Sequence, residues 1–168
     1  MRGEYYSEKD DDRLEWNAYD SIKFAAAIIH FDYRKEKVTM SVKRFTIKDV
    51  ATWYQRSGRQ IFLGDVLDEK NSDAMSVGFC RYQKGETNEW IVTYDEALIV
   101  TKGAFTVRGP DGAKTAKAGE LIFLTKGTKV TYQGAEDGTE VVYVTYPHWM
   151  KAQRQSKHAD LLDTFHPV

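Results

Sequence analysis

The sequence predicts an all-β domain, a barrel or sandwich of short antiparallel strands with a few short helices at its margins. Three observations carry that reading. Between residues 60 and 146, stretches of four to ten residues rich in Val, Ile, Thr, Tyr and Phe recur, broken by Gly, Pro, Asp and Asn. Hydrophobic residues make up 42% of the 168-residue chain and aromatics 13%, and a domain of this length buries about two-thirds of its unfolded surface. The longest apolar run, Phe24 to Ile29, is far too short to span a bilayer.

The elements follow in chain order. Residues 1–14 are highly charged (Glu8-Lys9-Asp10-Asp11-Asp12-Arg13) and read as a loosely attached tail. Residues 15–30, with Trp16, Tyr19, Ile22, Ala26 and Ile29, suit one amphipathic helix. Two readings stand for this extension of residues 1–39: translation begins at Met40, or the segment is a helical arm that packs on the barrel or a neighbouring subunit. Thr46-Ile47-Lys48-Asp49 has the shape of a capping box, and Val50, Trp53 and Tyr54 at i, i+3, i+4 predict a short helix there. Strands are expected at 60–63, 74–83, 89–93, 96–101, 104–108, 113–116, 121–124, 129–132 and 139–146. Gly109-Pro110-Asp111-Gly112 is a strong turn signal between two of them. The expected barrel domain is 40–149, and residues 150–168 form a C-terminal tail in which Ala152, Ala159, Leu161, Leu162 and Phe165 predict a final helix.

Charge and cysteine content exclude several classes. The net charge is −1, from 24 basic and 25 acidic residues. That balance argues against nucleic acid or an anionic membrane as partner. The one cysteine, Cys80, cannot form an internal disulfide; with no recognisable signal peptide, a cytoplasmic protein is expected. Cys80 reads as a small buried core residue.

Two glycine-anchored stretches carry the fold assignment. The first is Trp90-Ile91-Val92-Thr93-Tyr94-Asp95-Glu96, with Gly103 seven residues on; the second is Gly119-Glu120-Leu121-Ile122-Phe123-Leu124-Thr125-Lys126-Gly127, followed by Thr128-Lys129-Val130. Their spacing resembles the two motifs of the cupins, small double-stranded β-barrels of the jelly-roll type. Glu96 and Gly103 match the end of the first motif, and Gly119 and Gly127 match the second. The resemblance stops at the metal ligands. Trp90 and Val92 stand where two histidines are usual (Glu89 and Ile91 if the gap is one longer), Val130 stands at the third, and Thr125 replaces a proline.

One branch departs in a similar way. The Trp-x-x-x-Tyr-Asp-Glu stretch from Trp90 to Glu96 is similar to a signature of EutQ, the ethanolamine-utilisation cupins. The ending Val142-Tyr143-Val144-Thr145-Tyr146-Pro147-His148-Trp149 resembles their closing strand, with Tyr146 in place of a Trp and one residue missing before Trp149. The likeness covers about residues 42–150, with Ile61-Phe62-Leu63-Gly64-Asp65-Val66 as a first barrel strand and turn. It implies a link to ethanolamine catabolism and its protein compartments, and an acetate kinase activity. For the latter the chain offers no nucleotide motif: Lys126-Gly127-Thr128-Lys129 is not the Gly-x-x-x-x-Gly-Lys-Ser/Thr phosphate loop.

Strand parity picks out the candidate site. Alternate residues of a strand share a face, so Trp90, Val92, Tyr94, Glu96, Leu98 and Val100 point the same way if the strand stays regular through Asp95. In a cupin that face lines the barrel. A carboxylate among apolar and aromatic neighbours loses solvation and its pKa rises, which suits a general acid or base. Glu96 is therefore the expected acid/base and Tyr94 its hydrogen-bonding orienter; the alternative is a buried carboxylate satisfied by Tyr94 or a water. Trp90, Val92, Tyr132 and His148 are the other expected pocket residues, with a core Tyr132 and a surface or packing His148 as alternatives. Asp95, of opposite parity, is expected to face solvent or cap a turn. None of the four histidines pairs at metal-ligand spacing, so neither metal nor other cofactor is expected, although Glu86, Glu89 and Glu96 could form a carboxylate-based metal site. The expectation is a small polar metabolite in a metal-independent pocket, with either turnover at Glu96 or a binding or accessory role in ethanolamine-type catabolism. A third reading is a barrel simply filled by its own side chains. A homodimer through edge strands is expected, since exposed edges need cover and no edge-blocking proline is evident.

Overall fold

The structure, a computed structural model, describes residues 41–168. The expected tail, the helix over 15–30 and the start at Met40 lie outside the described residues. Eleven strands form two antiparallel sheets: β1 (Tyr54–Arg56), β2 (Ile61–Leu67), β3 (Ser76–Tyr82), β4 (Thr87–Ile91), β5 (Asp95–Lys102), β6 (Ala104–Gly109), β7 (Gly112–Lys117), β8 (Leu121–Leu124), β9 (Lys129–Gly134), β10 (Thr139–Tyr146) and β11 (Phe165–Pro167). One sheet has the order β11-β1-β2-β3-β10-β5-β8, the other β4-β9-β6-β7. This is the jelly-roll barrel that the sequence predicts, and all nine expected strands are present. Alternation decides the inward faces: in β10, Thr139, Val141, Tyr143 and Thr145 are buried while the residues between them are half-buried or exposed.

Turns are set by glycines from both motifs. Gly103 separates β5 from β6 at φ 69°, and Gly127 precedes β9 at φ 92°. Both lie in the left-handed region, which only glycine enters at little cost. The Gly127 turn is pinned by the Lys126 N–H donating to Asp95 Oδ1 at 2.8 Å, so Asp95 does cap a turn.

Three expectations are corrected. The helix from Thr46 is a single 3-10 turn, Ile47–Asp49, with its capping box formed. It stops because Val50 turns extended (ψ 112°), and Val50 and Trp53 pack over Gly64 instead of stacking on a helix face. The final helix is α1 (Trp149–Arg154), then a 3-10 segment, Ala159–Thr164. Local side-chain bonds end α1: Ser156 Oγ donates to the Gln153 carbonyl at 2.8 Å and accepts from the His158 N–H at 3.0 Å, and Gln153 Nε2 donates to the His158 carbonyl at 2.7 Å. Phe165 belongs to β11, which pairs with β1 and is tied down by Ser57 N–H on the Thr164 carbonyl and Val168 N–H on the Trp53 carbonyl, both at 2.9 Å. Since β11 is an edge strand and holds Pro167, one sheet edge does carry a proline.

Candidate functional site

The continuous strand through Asp95 does not exist. β4 ends at Ile91 and β5 begins at Asp95, and the two strands belong to opposite sheets. The parity result nevertheless holds across the break. Trp90, Val92, Tyr94, Glu96, Leu98 and Val100 are all buried, because Val92 exchanges backbone bonds with the turn before β9, its N–H to the Thr128 carbonyl and its carbonyl from the Gly127 N–H.

Between the sheets lies a cavity of about 60 Å³. At about 10–15 Å³ per water, that is room for a handful of water-sized groups. Trp90, Tyr94, Glu96 and Tyr132 line it, together with Leu63, Cys80, Tyr82, Asn88, Leu98, Phe105, Tyr143, Trp149 and Phe165. Glu96, 6% exposed, comes from β5. Tyr132 reaches it from β9 on the facing sheet and donates its hydroxyl to Glu96 Oε2 at 2.6 Å. Burial pushes the Glu96 carboxyl up to about 7, against the opposing Tyr132 hydrogen bond. Tyr132 is held in place by stacking on Phe105, ring centres 6.0 Å apart.

The expected Glu96–Tyr94 hydrogen bond is replaced. Tyr94 OH accepts from Trp90 Nε1 at 2.9 Å, so Tyr132 is the residue that orients Glu96. Two expected pocket residues stand elsewhere. Val92 and His148 do not line the cavity; they border an outer groove with Lys126, Lys151, Lys157 and His158. His148 precedes α1, is buried, and its Nδ1 lies 3.3 Å from Ser76 Oγ. Cys80 is buried as expected, and burial pushes its thiol well up.

Asp65 carried no expectation beyond its place in the first strand. It lies on one rung of the sheet: Asp65 pairs with Gly78, Gly78 with Tyr143, and Tyr143 with Leu98. With no side chain on Gly78, the Tyr143 ring crosses that rung and its hydroxyl donates to Asp65 Oδ1 at 2.8 Å. Trp149 Nε1 donates to the same carboxylate at 2.9 Å. Burial raises the Asp65 carboxyl to about 6, with the Trp149 and Tyr143 bonds opposing. The signal available in the sequence was Asp65 two residues before the end of an apolar strand, with a glycine on the next one.

The positions where cupins usually hold metal do not fit a metal ion. Trp90, Val92 and Val130 offer no donor atoms there and are core residues, which leaves Glu96 as the one ligating side chain of that set. Among the described residues no three His, Cys, Asp or Glu side chains gather as a metal site.

The sequence profile described as "Ethanolamine utilisation protein EutQ" matches residues 33–151. The chain belongs to the EutQ family. "Acetate kinase EutQ" of Clostridioides difficile is 33% identical over 88 residues, 52% of this chain and 54% of that protein. The protein of the same name from Salmonella typhimurium is 29% identical over 85 residues, 51% of this chain and 36% of its own length. The match thus spans about a third to a half of the length of these curated relatives. The solved structure of the Clostridium difficile EutQ protein superposes with a TM-score of 0.53 at 28% identity, covering 60% of this chain and 70% of that one. The cupin domain of Schizosaccharomyces pombe Cnp3, TM-score 0.52 at 9% identity over 68% of this chain and 81% of that one, is alike in fold alone. The barrel of this EutQ-family chain is therefore a cupin, as its motif glycines imply. No helix among the described residues is long and apolar enough to cross a membrane.

Proposed function

We propose that this EutQ-family cupin binds a small polar metabolite in the cavity between its sheets and moves a proton on it with Glu96, without a metal, in the cytoplasm. The observation that carries the reading is the Glu96–Tyr132 pair. A buried carboxyl poised near pH 7 exchanges a proton at neutral pH in either direction, and the Tyr132 hydroxyl at 2.6 Å fixes which oxygen is held and which is free. Tyr94 and Trp90, bonded to each other, form an adjoining wall. Catalysis of this kind needs the reacting atom within hydrogen-bond reach of Glu96.

The acetate kinase activity named for these relatives is not carried over. A carboxylate substrate would meet the like charge of ionised Glu96 in this cavity. An accessory role without turnover would use the same walls.

Glu96→Gln keeps the shape and removes the titration. The variant should retain its fold by circular dichroism and lose any turnover of the metabolite that wild type binds. Unchanged turnover in a folded variant would sink the acid/base role. A filled barrel predicts instead that no small metabolite perturbs the resonances of Trp90, Tyr94, Tyr132 or Trp149. The purified protein should carry no stoichiometric zinc, iron, manganese or nickel, and chelator should leave its melting unchanged. About one metal per chain, lost in Glu96→Gln, contradicts this.

A further inference from the structure

The cavity wall carries charge of one sign. Glu96 is the charged side chain among the lining residues, and no Lys, Arg or His lines the space. Its Oε2 accepts from Tyr132, and its Oε1 has no hydrogen-bond partner among the described residues. No fully buried side-chain oxygen or nitrogen of the described residues is left without a partner, so Oε1 borders open space, and the space beside Glu96 is the cavity. The ion pairs of the described residues, Arg59–Glu86, Arg81–Glu140 and Arg154–Glu69, all use other carboxylates. Arg56 lies behind the wall. It donates to Asn88 Oδ1 and, at 3.1 Å, to Thr164 Oγ1, with its guanidinium 5.8 Å from the Phe165 ring centre.

Four of the wall's donors are already used. Both indole N–H groups are spent internally, Trp90 on Tyr94 and Trp149 on Asp65, and so are the hydroxyl hydrogens of Tyr132, on Glu96, and Tyr143, on Asp65. Asp65 thus places a second carboxylate one hydrogen bond behind the wall. What remains along the wall is a carboxylate oxygen, the Tyr82 and Tyr94 hydroxyls and the Asn88 amide, all uncharged but the first, and aromatic rings, whose faces are negative and attract cations. A buried carboxylate without a counter-charge is costly, and the residues on hand supply none.

We infer that the cavity selects a small organic monocation with N–H donors, a primary alkylammonium, its head on Glu96 Oε1 and its carbons against the rings. The inference rests on the reading of the cavity as a ligand site and adds the charge of the ligand. It runs opposite to a carboxylate substrate such as acetate.

Three probes of nearly equal size separate the possibilities: ethylammonium, acetate and neutral acetamide. Each is titrated into the full-length protein at pH 8, where Glu96 is mostly ionised, with the indole N–H resonances of Trp90 and Trp149 as readout. Ethylammonium should shift both saturably, and acetate and acetamide should bind at least about tenfold more weakly or not at all. Glu96→Gln should weaken ethylammonium by about tenfold or more, the usual loss when a charged hydrogen-bond partner is removed. Acetate or acetamide binding as well as ethylammonium would overturn the inference while leaving a ligand site in place. So would ethylammonium binding unchanged in a folded Glu96→Gln variant. If that variant does not fold, the selectivity of the wild-type protein decides alone. No shift with any probe overturns both this inference and the ligand-site reading beneath it.

Discussion

Glu96 and Asp65 are held against their ordinary tendency to ionise, Glu96 raised from 4.5 to about 7 and Asp65 from 3.8 to about 6. A carboxyl group with a raised pKa in the folded state binds more protons folded than unfolded between the two values. Stability therefore falls as pH rises through that window. Each pKa unit is worth about 1.4 kcal/mol, so Glu96 alone accounts for a loss on the order of 3 kcal/mol between about pH 4.5 and 7. Urea unfolding across pH 4 to 8 should show stability declining, and Glu96→Gln should flatten the upper part of the decline, making the variant more stable than wild type at pH 8. A wild-type profile that rises over this range would contradict the assignment. Glu96 was legible in the sequence because parity survives a break in the strand. Tyr132 as its partner was not: parity says which face a residue takes, not which residue of the opposite sheet arrives against it. Asp65 left only a weak signal, its place near the end of an apolar strand, because its role depends on the rung it shares with Gly78 and Tyr143.

At the scale of elements, the strands of the barrel were legible from composition and turn signals, and the glycine spacing carried over into the turns at Gly103 and Gly127. The chain ends were harder. β1 and β11 are three residues each, too short for any alternation to show, and the helical spacing of Leu161, Leu162 and Phe165 concealed a strand. β3 carries the most specific element-level prediction. A side chain at Gly78 would collide with the Tyr143 ring and hydroxyl and with the Gly64 carbonyl. Gly78→Ala should cost about 1–3 kcal/mol, the usual range for overpacking, and should shift the Asp65 carboxyl titration by displacing Tyr143. Thermal melts together with carbon NMR of Asp65 check this; an unchanged melt and titration would show that Tyr143 does not depend on the bare glycine.

At the scale of the molecule, the two edges of the larger sheet differ. One, β11, holds Pro167, which blunts pairing. The other, β8, exposes Leu121 and Phe123, each 61% exposed. Exposed apolar edges invite pairing with another chain, so the expected homodimer should run through β8. Light scattering behind size exclusion should give a dimer at micromolar concentration, and Leu121→Lys with Phe123→Lys should give a monomer. A wild-type monomer at that concentration would remove the dimer. The whole-molecule fold was the most legible level, since the motif glycines Gly103, Gly119 and Gly127 and nine strand patterns pointed to it; the missing metal ligands were equally plain, because Trp90, Val92 and Val130 stand in their places.

The proposed function turns on one group, and its titration can be measured directly. Carbon NMR of the Glu96 side-chain carboxyl in the ligand-free protein should give a pKa near 7, rising further in Tyr132→Phe as the opposing hydrogen bond is lost. A wild-type value at the ordinary 4.5 of a solvated glutamate would mean that Glu96 is not buried in the barrel, and the site built around it would fall.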